Sequence, residues 1–164
     1  MQTLDALRIR RSVRSFNQKP VAKKDIEQII DAARFAPTAR NVQPFEFIAV
    51  TDRASLKKIS EFTDNGKFIA NCGCSIIVLC QDTKYYLEDG CAATENILIA
   101  ATDLGLSSCW VAGDKKPYCQ DLCNFFNVPP GVKLVSLIAL GYTDEPVEPC
   151  PKRALNDLLH WQKF

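Results

Sequence analysis

Ser75-Ile76-Ile77-Val78-Leu79-Cys80-Gln81 is a continuous, partly β-branched apolar run that reads as a buried strand. From about Asp89 to Leu104, Ala93, Ile97, Ala100, Ala101 and Leu104 recur at helical spacing, and Gly105 is placed to cap the helix. The small alanines predict close packing. A buried strand followed by such a helix is the centre of an α/β or α+β unit, and the flanking sequence continues the alternation.

Upstream, a short helix over about Thr3 to Arg10 leads into a basic segment, and Pro20 stops an extended piece before a second helix. The second helix carries Ile26, Ile29, Ile30 and Ala33 on one face, Lys23, Lys24, Glu27 and Gln28 outside, and ends before Pro37. Phe45 to Val50 reads as a strand and Arg53 to Asp64 as a helix. Downstream, Ser107 to Val111 is a predicted strand, Pro117 to Asn127 a helix opened by proline, and Lys133 to Tyr142 a strand after the Pro129-Pro130-Gly131 turn. In the tail, Pro146, Pro149 and Pro151 force an extended path, with one last helix expected near Ala154 to His160. That tail either wraps its own domain or reaches for another subunit.

The chain has 164 residues, with 20 Lys and Arg against 19 Asp and Glu, and neither internal repeats nor flexible linkers. It reads as one domain, residues 1–164, large enough for a core without staples. A net charge of +1 predicts no general attraction to nucleic acid or a membrane surface. The lone histidine, His160, lies in the last five residues, which excludes His-rich zinc sites and His-assisted nucleophiles built elsewhere. Met1 to Ser15 carries four arginines but no apolar stretch of signal-peptide length, and no run is long enough to span a bilayer, so a cytoplasmic protein is expected. In that compartment the eight cysteines stay thiols and mostly fill the core. Cys72-x-Cys74 and Cys119-x3-Cys123 are the closest pairs, and neither is a zinc or cluster knuckle. No metal is expected.

Two segments carry chemistry. Arg10-Arg11-Ser12-Val13-Arg14 gathers three guanidiniums and a hydroxyl at a helix end, which suits either a phosphate or a solvated cap that complements the helix dipole. Ala36-Pro37-Thr38-Ala39-Arg40-Asn41-Val42-Gln43-Pro44-Phe45 places two amides between prolines in the link from helix to strand. Asn41 and Gln43 can each donate and accept, as a heterocycle requires, or they can simply cap the connection. No GxGxxG follows a strand, so a dedicated Rossmann site for NAD(P)H is absent.

Arg10 to Phe16, then Ala36-Pro37-Thr38 with Asn41-Val42-Gln43-Pro44, resembles the nitroreductase family of FMN-dependent oxidoreductases. Gly105-Leu106-Ser107-Ser108-Cys109-Trp110-Val111-Ala112-Gly113 is similar to that family's strand beside the flavin, and Val128-Pro129-Pro130-Gly131 to Gly141-Tyr142 to its final core strand. The sequence departs from the family at Thr38, where serine is usual, at Phe45, where tryptophan is frequent, and at Pro151-Lys152-Arg153-Ala154.

The resemblance implies an α+β, three-layer fold with a central mixed or antiparallel sheet flanked by helices, and a tail exchanged within a homodimer that holds FMN at the subunit interface. It puts Arg10, Arg11, Ser12 and Arg14 on the FMN phosphate and ribityl chain, joined by Lys152 or Arg153 from the tail. Pro37, Thr38, Asn41 and Gln43 meet the flavin ring, facing the cofactor held mainly by the other subunit's arginines. Val111, Ala112 and Gly113 line the ring near N5, where Ala112 and Gly113 leave it room. The implied reaction has two halves: NAD(P)H passes hydride to N5 and leaves, and a small-molecule acceptor (a nitroaromatic, a quinone or a similar electrophile) takes the electrons. No side chain is implied as an obligate acid or base. The competing readings are an FMN protein for storage, sensing or a specialised flavin reaction with another donor, and a thiol or metal module built on Cys72, Cys74, Cys119 and Cys123.

Overall fold

The computed structural model describes residues 1–164. In chain order it contains α1 (Thr3–Ile9), α2 (Lys23–Ala33), β1 (Phe45–Val50), α3 (Arg53–Phe62), β2 (Cys74–Gln81), α4 (Tyr86–Asp103), β3 (Ser107–Ala112), α5 (Cys119–Phe125) and β4 (Val132–Gly141). Short 3₁₀ turns occupy Ala39–Asn41, Lys67–Asn71 and Leu155–Asp157. Local signals account for several boundaries. Asp52 caps α3 by accepting from the Ser55 N–H at 2.8 Å, which holds its carboxyl below the usual range, and Gly105 takes the left-handed conformation after α4 at φ 74°.

The strands form one sheet in the order β1-β2-β4-β3, with every neighbour antiparallel. A single parallel bridge, Ser12 to Ser108, adds the basic segment to the free edge of β3. Alternation along β2 and β4 divides the core into two layers. Ile77, Leu79, Leu137 and Ala139 face α3, α5 and the Lys67–Asn71 turn, while Ile76, Val78, Ile138 and Leu140 face α2 and α4. The expected three-layer α+β fold is what forms.

One irregularity shapes the site end of the sheet. Val78 pairs with Ser136 but Leu79 with Leu134, so Val135 bulges out of register. Val135 and Ser136 both turn toward α4. The Ser136 hydroxyl meets Thr94 Oγ1 at 2.8 Å, and Val135 packs so close to Gly90 that a Cβ there would lie 2.6 Å from it.

The tail corrects one expectation. In place of a helix over Ala154 to His160 there is only the turn Leu155–Asp157. Every residue from 144 to 164 is exposed, so no packed face supports a segment too short to be helical by propensity alone. The helix expected to open at Pro117 starts at Cys119, with Pro117 and Tyr118 in the preceding turn. No helix is long and apolar enough to cross a membrane.

Candidate functional site

The basic segment leaves α1 through a cap of its own making. Arg11 Nη1 donates to the Arg8 and Arg10 carbonyls at 2.6 and 2.7 Å, satisfying groups at the helix end, while Arg11 Nε is buried without a partner. The chain then runs beside β3, anchored by the Val13 N–H on the Ser108 carbonyl at 2.9 Å. Arg10 faces Glu95 of α4 at 3.8 Å, and Arg14 Nη1 donates to the Ser12 carbonyl at 3.3 Å. Arg10, Arg11, Ser12 and Arg14 line a cavity of about 390 Å³ that Lys152 completes from the tail, with Glu145 and Glu148 also on its wall.

A second cavity, about 400 Å³, lies along the edge of β3. Arg14 belongs to both. Val111 and Ala112 form one wall of it, Phe68, Trp110 and Tyr118 supply aromatic surface, and Asp64, Asn65 and Lys116 supply polar groups. The Tyr118 hydroxyl donates to the Ala112 carbonyl and fixes that wall. Burial pushes the Tyr118 phenol up from its ordinary value, so it stays protonated at neutral pH.

Gly113 sits behind this wall. A Cβ on it would come 2.7 Å from Leu134 Cγ and 2.9 Å from the Val135 carbonyl, so its size is demanded by the bulged strand β4. Next in sequence, Asp114 accepts from the Tyr86 hydroxyl at 2.8 Å, and this bond, with burial, pushes the Tyr86 phenol up to about 12.

The loop from Pro37 to Gln43 is elsewhere. Its 3₁₀ turn holds Arg40 and Asn41 at φ 56°, and Gln43 follows at φ 53°, three left-handed residues without a glycine. Thr38 Oγ1 accepts from the Gln43 N–H at 3.1 Å, and the Gln43 side-chain amide donates to the Asn41 carbonyl at 3.3 Å. Pro37, Thr38, Asn41 and Gln43 line neither of these two cavities.

The structure therefore brings together Arg10, Arg11, Ser12, Arg14, Lys152, Val111 and Ala112, and leaves the Pro37–Gln43 loop apart. Arg153 is exposed, donates to the Asp157 carbonyl at 2.7 Å and lines neither cavity. All eight cysteines are free, and no three His, Cys, Asp or Glu side chains converge as metal ligands. Asp64, Asn65, Phe68, Lys116 and Tyr118 were not legible as site residues. The only hint was the turn-forming Asp64-Asn65-Gly66 before β2.

The sequence matches the model of the nitroreductase family over residues 7–71 and 80–142. It is 36% identical over 149 residues to an Archaeoglobus fulgidus protein called "Putative NADH dehydrogenase/NAD(P)H nitroreductase", covering 86% of this chain and 85% of the relative. Of the solved structures, a Bacteroides thetaiotaomicron protein of the same description superposes with a TM-score of 0.93 at 28% identity, covering 99% of this chain and 98% of that one. The structure called "FMN-dependent Nitroreductase" from Clostridium difficile superposes with a TM-score of 0.91 at 26% identity, covering 98% of this chain and 99% of that one. With its three-layer fold, the basic segment bridged to β3 and the match over most of its length, this chain belongs to the nitroreductase family.

Proposed function

We propose that this chain is an FMN-dependent NAD(P)H oxidoreductase that delivers electrons to nitroaromatics, quinones or similar electrophiles and works as a cytoplasmic homodimer. The observation that carries the reading is Arg14, whose side chain lines both a basic and an aromatic cavity. Each cavity has the volume of a small-molecule site. Guanidiniums and the Ser12 hydroxyl suit a phosphate and a polyol, the aromatic wall suits a planar ring, and the buried, unpartnered Arg11 Nε is a donor without an acceptor. The residues present fit FMN, as does the name of the Clostridium difficile relative.

In this reading Arg10, Arg11, Ser12, Arg14 and Lys152 hold the phosphate and ribityl chain, with Arg153 within the same tail segment. Val111 and Ala112 form the floor under the ring, and Gly113 lets that floor pack against β4. Pro37, Thr38, Asn41 and Gln43 present the loop to the cofactor of a second copy, in keeping with their absence from the walls of the basic and the aromatic cavity. The apolar surface of Leu155, Leu158, Leu159 and Trp161, each more than 40% exposed, gives a second copy something to cover. When bound, FMN supplies two-electron chemistry: hydride in from NAD(P)H, electrons out to the acceptor. The chain contributes positive charge and N–H donors around the ring. In this reading no side chain acts as an obligate acid or base.

The test is an absorption spectrum of the purified protein, aerobic and then anaerobic with NADH or NADPH. Released FMN that bleaches in the presence of either donor is the expected result. FMN that does not bleach moves the function to another donor, storage or sensing. A colourless protein that cannot be reconstituted overturns the cofactor assignment.

A further inference from the structure

Asp89 is the charged residue out of place in this fold. It lies on α4 in line with Ala93, Ile97 and Ala101, on the stripe that packs into the core, and it is only 6% exposed. A carboxylate on such a stripe is costly to bury and persists where it is bonded. Its partner is not in its own helix. Asp89 Oδ1 accepts the Ala39 N–H at 3.1 Å across fifty residues of sequence, at the entry to the 3₁₀ turn. That turn contains Arg40 and Asn41 and is followed by Gln43, the three left-handed residues. Within the loop, the bonds from the Asn41 N–H to the Thr38 carbonyl and from the Gln43 N–H to Thr38 Oγ1 are local. Only the Asp89 bond ties the turn to a rigid helix.

We propose that Asp89 is a positioning residue: its buried carboxylate holds the Ala39–Asn41 turn in the one shape that presents Thr38, Asn41 and Gln43 to the flavin. The proposal rests on the cofactor reading given above. A hydrogen bond that a backbone N–H donates to a largely buried side-chain oxygen can hold left-handed backbone that the residues themselves do not prefer. Ordering the loop in advance spares the cofactor the entropy of ordering it on binding.

Three variants isolate the bond. Asp89→Leu removes the acceptor at similar size. Asp89→Asn keeps an oxygen that can accept. Ala39→Pro removes the donor and leaves Asp89 in place, and Thr38, at φ −131° and ψ 150°, already has the backbone that a following proline requires. FMN titrations followed by flavin fluorescence and visible absorption should show Asp89→Leu and Ala39→Pro binding about tenfold or more weakly, with the bound spectrum displaced toward that of free FMN. Asp89→Asn should recover to within about threefold of the parent. In FMN-free protein, amide exchange at Asn41 and Gln43 should speed up about tenfold or more in Asp89→Leu. Folded Asp89→Leu with parental FMN affinity and parental exchange overturns the proposal, as does a loss that Ala39→Pro does not share or Asp89→Asn does not restore. If Asp89→Leu fails to fold, Ala39→Pro alone decides, and parental affinity in it is the overturning result. If the parent itself binds no FMN, the cofactor reading fails, and the exchange rates still decide whether Asp89 holds the loop.

Discussion

Arg14 and Arg11 look equivalent in the run Arg10-Arg11-Ser12-Val13-Arg14, yet the structure gives them different work. Arg11 closes the end of α1 by donating to the Arg8 and Arg10 carbonyls, so Arg11→Ala costs helix capping whatever it does to the proposed cofactor site. Arg14 has one long bond, to the Ser12 carbonyl at 3.3 Å, and lines both cavities. Arg14→Ala should therefore weaken FMN binding about tenfold or more with little change in stability, since a charge-assisted bond is worth roughly 1.5–3 kcal/mol. A fluorescence titration with parental affinity would remove Arg14 from the site. The cysteines make a second contrast at this scale. Burial pushes the thiols of Cys72 and Cys123 up to about 11 and those of Cys74 and Cys80 up to about 12, while Cys150 is exposed. A raised thiol stays protonated until the pH climbs through that value, so these four supply no thiolate at pH 8. FMN-free protein treated with a disulfide reagent at pH 8 should lose its fastest phase in Cys150→Ser, with the half-buried Cys91 and Cys119 reacting more slowly. A fastest phase that survives in Cys150→Ser would make Cys91 or Cys119 more open than their half-buried positions.

Among the elements, the junction of β3 with the bulge of β4 decides what the site wall looks like. The sequence reading gives Gly113 to the flavin, as clearance for the ring. The structure adds a cause nearer at hand, because Leu134 and the Val135 and Ser136 backbone fill the space a side chain would need. Gly113→Ala should destabilise the fold by about 1–3 kcal/mol, the usual cost of overpacking against atoms that cannot retreat, measured by chemical denaturation of FMN-free protein. Unchanged stability with weakened FMN binding would restore ring clearance as the whole role. The bulge was not legible. Lys133 to Tyr142 reads as one continuous strand, and only pairing with β2 reveals that Val135 is the extra residue. By contrast β2 was legible from its continuous apolar run, and α2 and α4 from long periodic faces buried against a layer.

For the molecule as a whole, the unanswered surface is the tail. Residues 144–164 are exposed throughout, yet they carry Leu155, Leu158, Leu159, Trp161 and Phe164, and Lys152 closes the basic cavity. Deleting residues 146–164 should leave circular dichroism close to that of the full chain, reduce the sedimenting species to one chain and weaken FMN binding about tenfold or more. A truncated chain that still sediments as a dimer would show that the clasp lies elsewhere, with the exposed Leu4 and Leu7 of α1 the next surface to test.

The sequence by itself determined the local order of this protein: where apolar periodicity makes strand or helix, where proline and glycine end them, and that Arg10, Arg11, Ser12 and Arg14 form one cationic cluster. These depend on neighbours within a turn or two of chain. Only the tertiary structure decided which distant segments share a site. Asp64 to Phe68 meets β3 because α3 folds over the sheet, Lys152 meets the arginines because the prolines carry the tail back, and Asp89 meets Ala39 because α4 packs under the loop. Such contacts are set by the burial of faces across the sheet, which no single stretch of chain specifies.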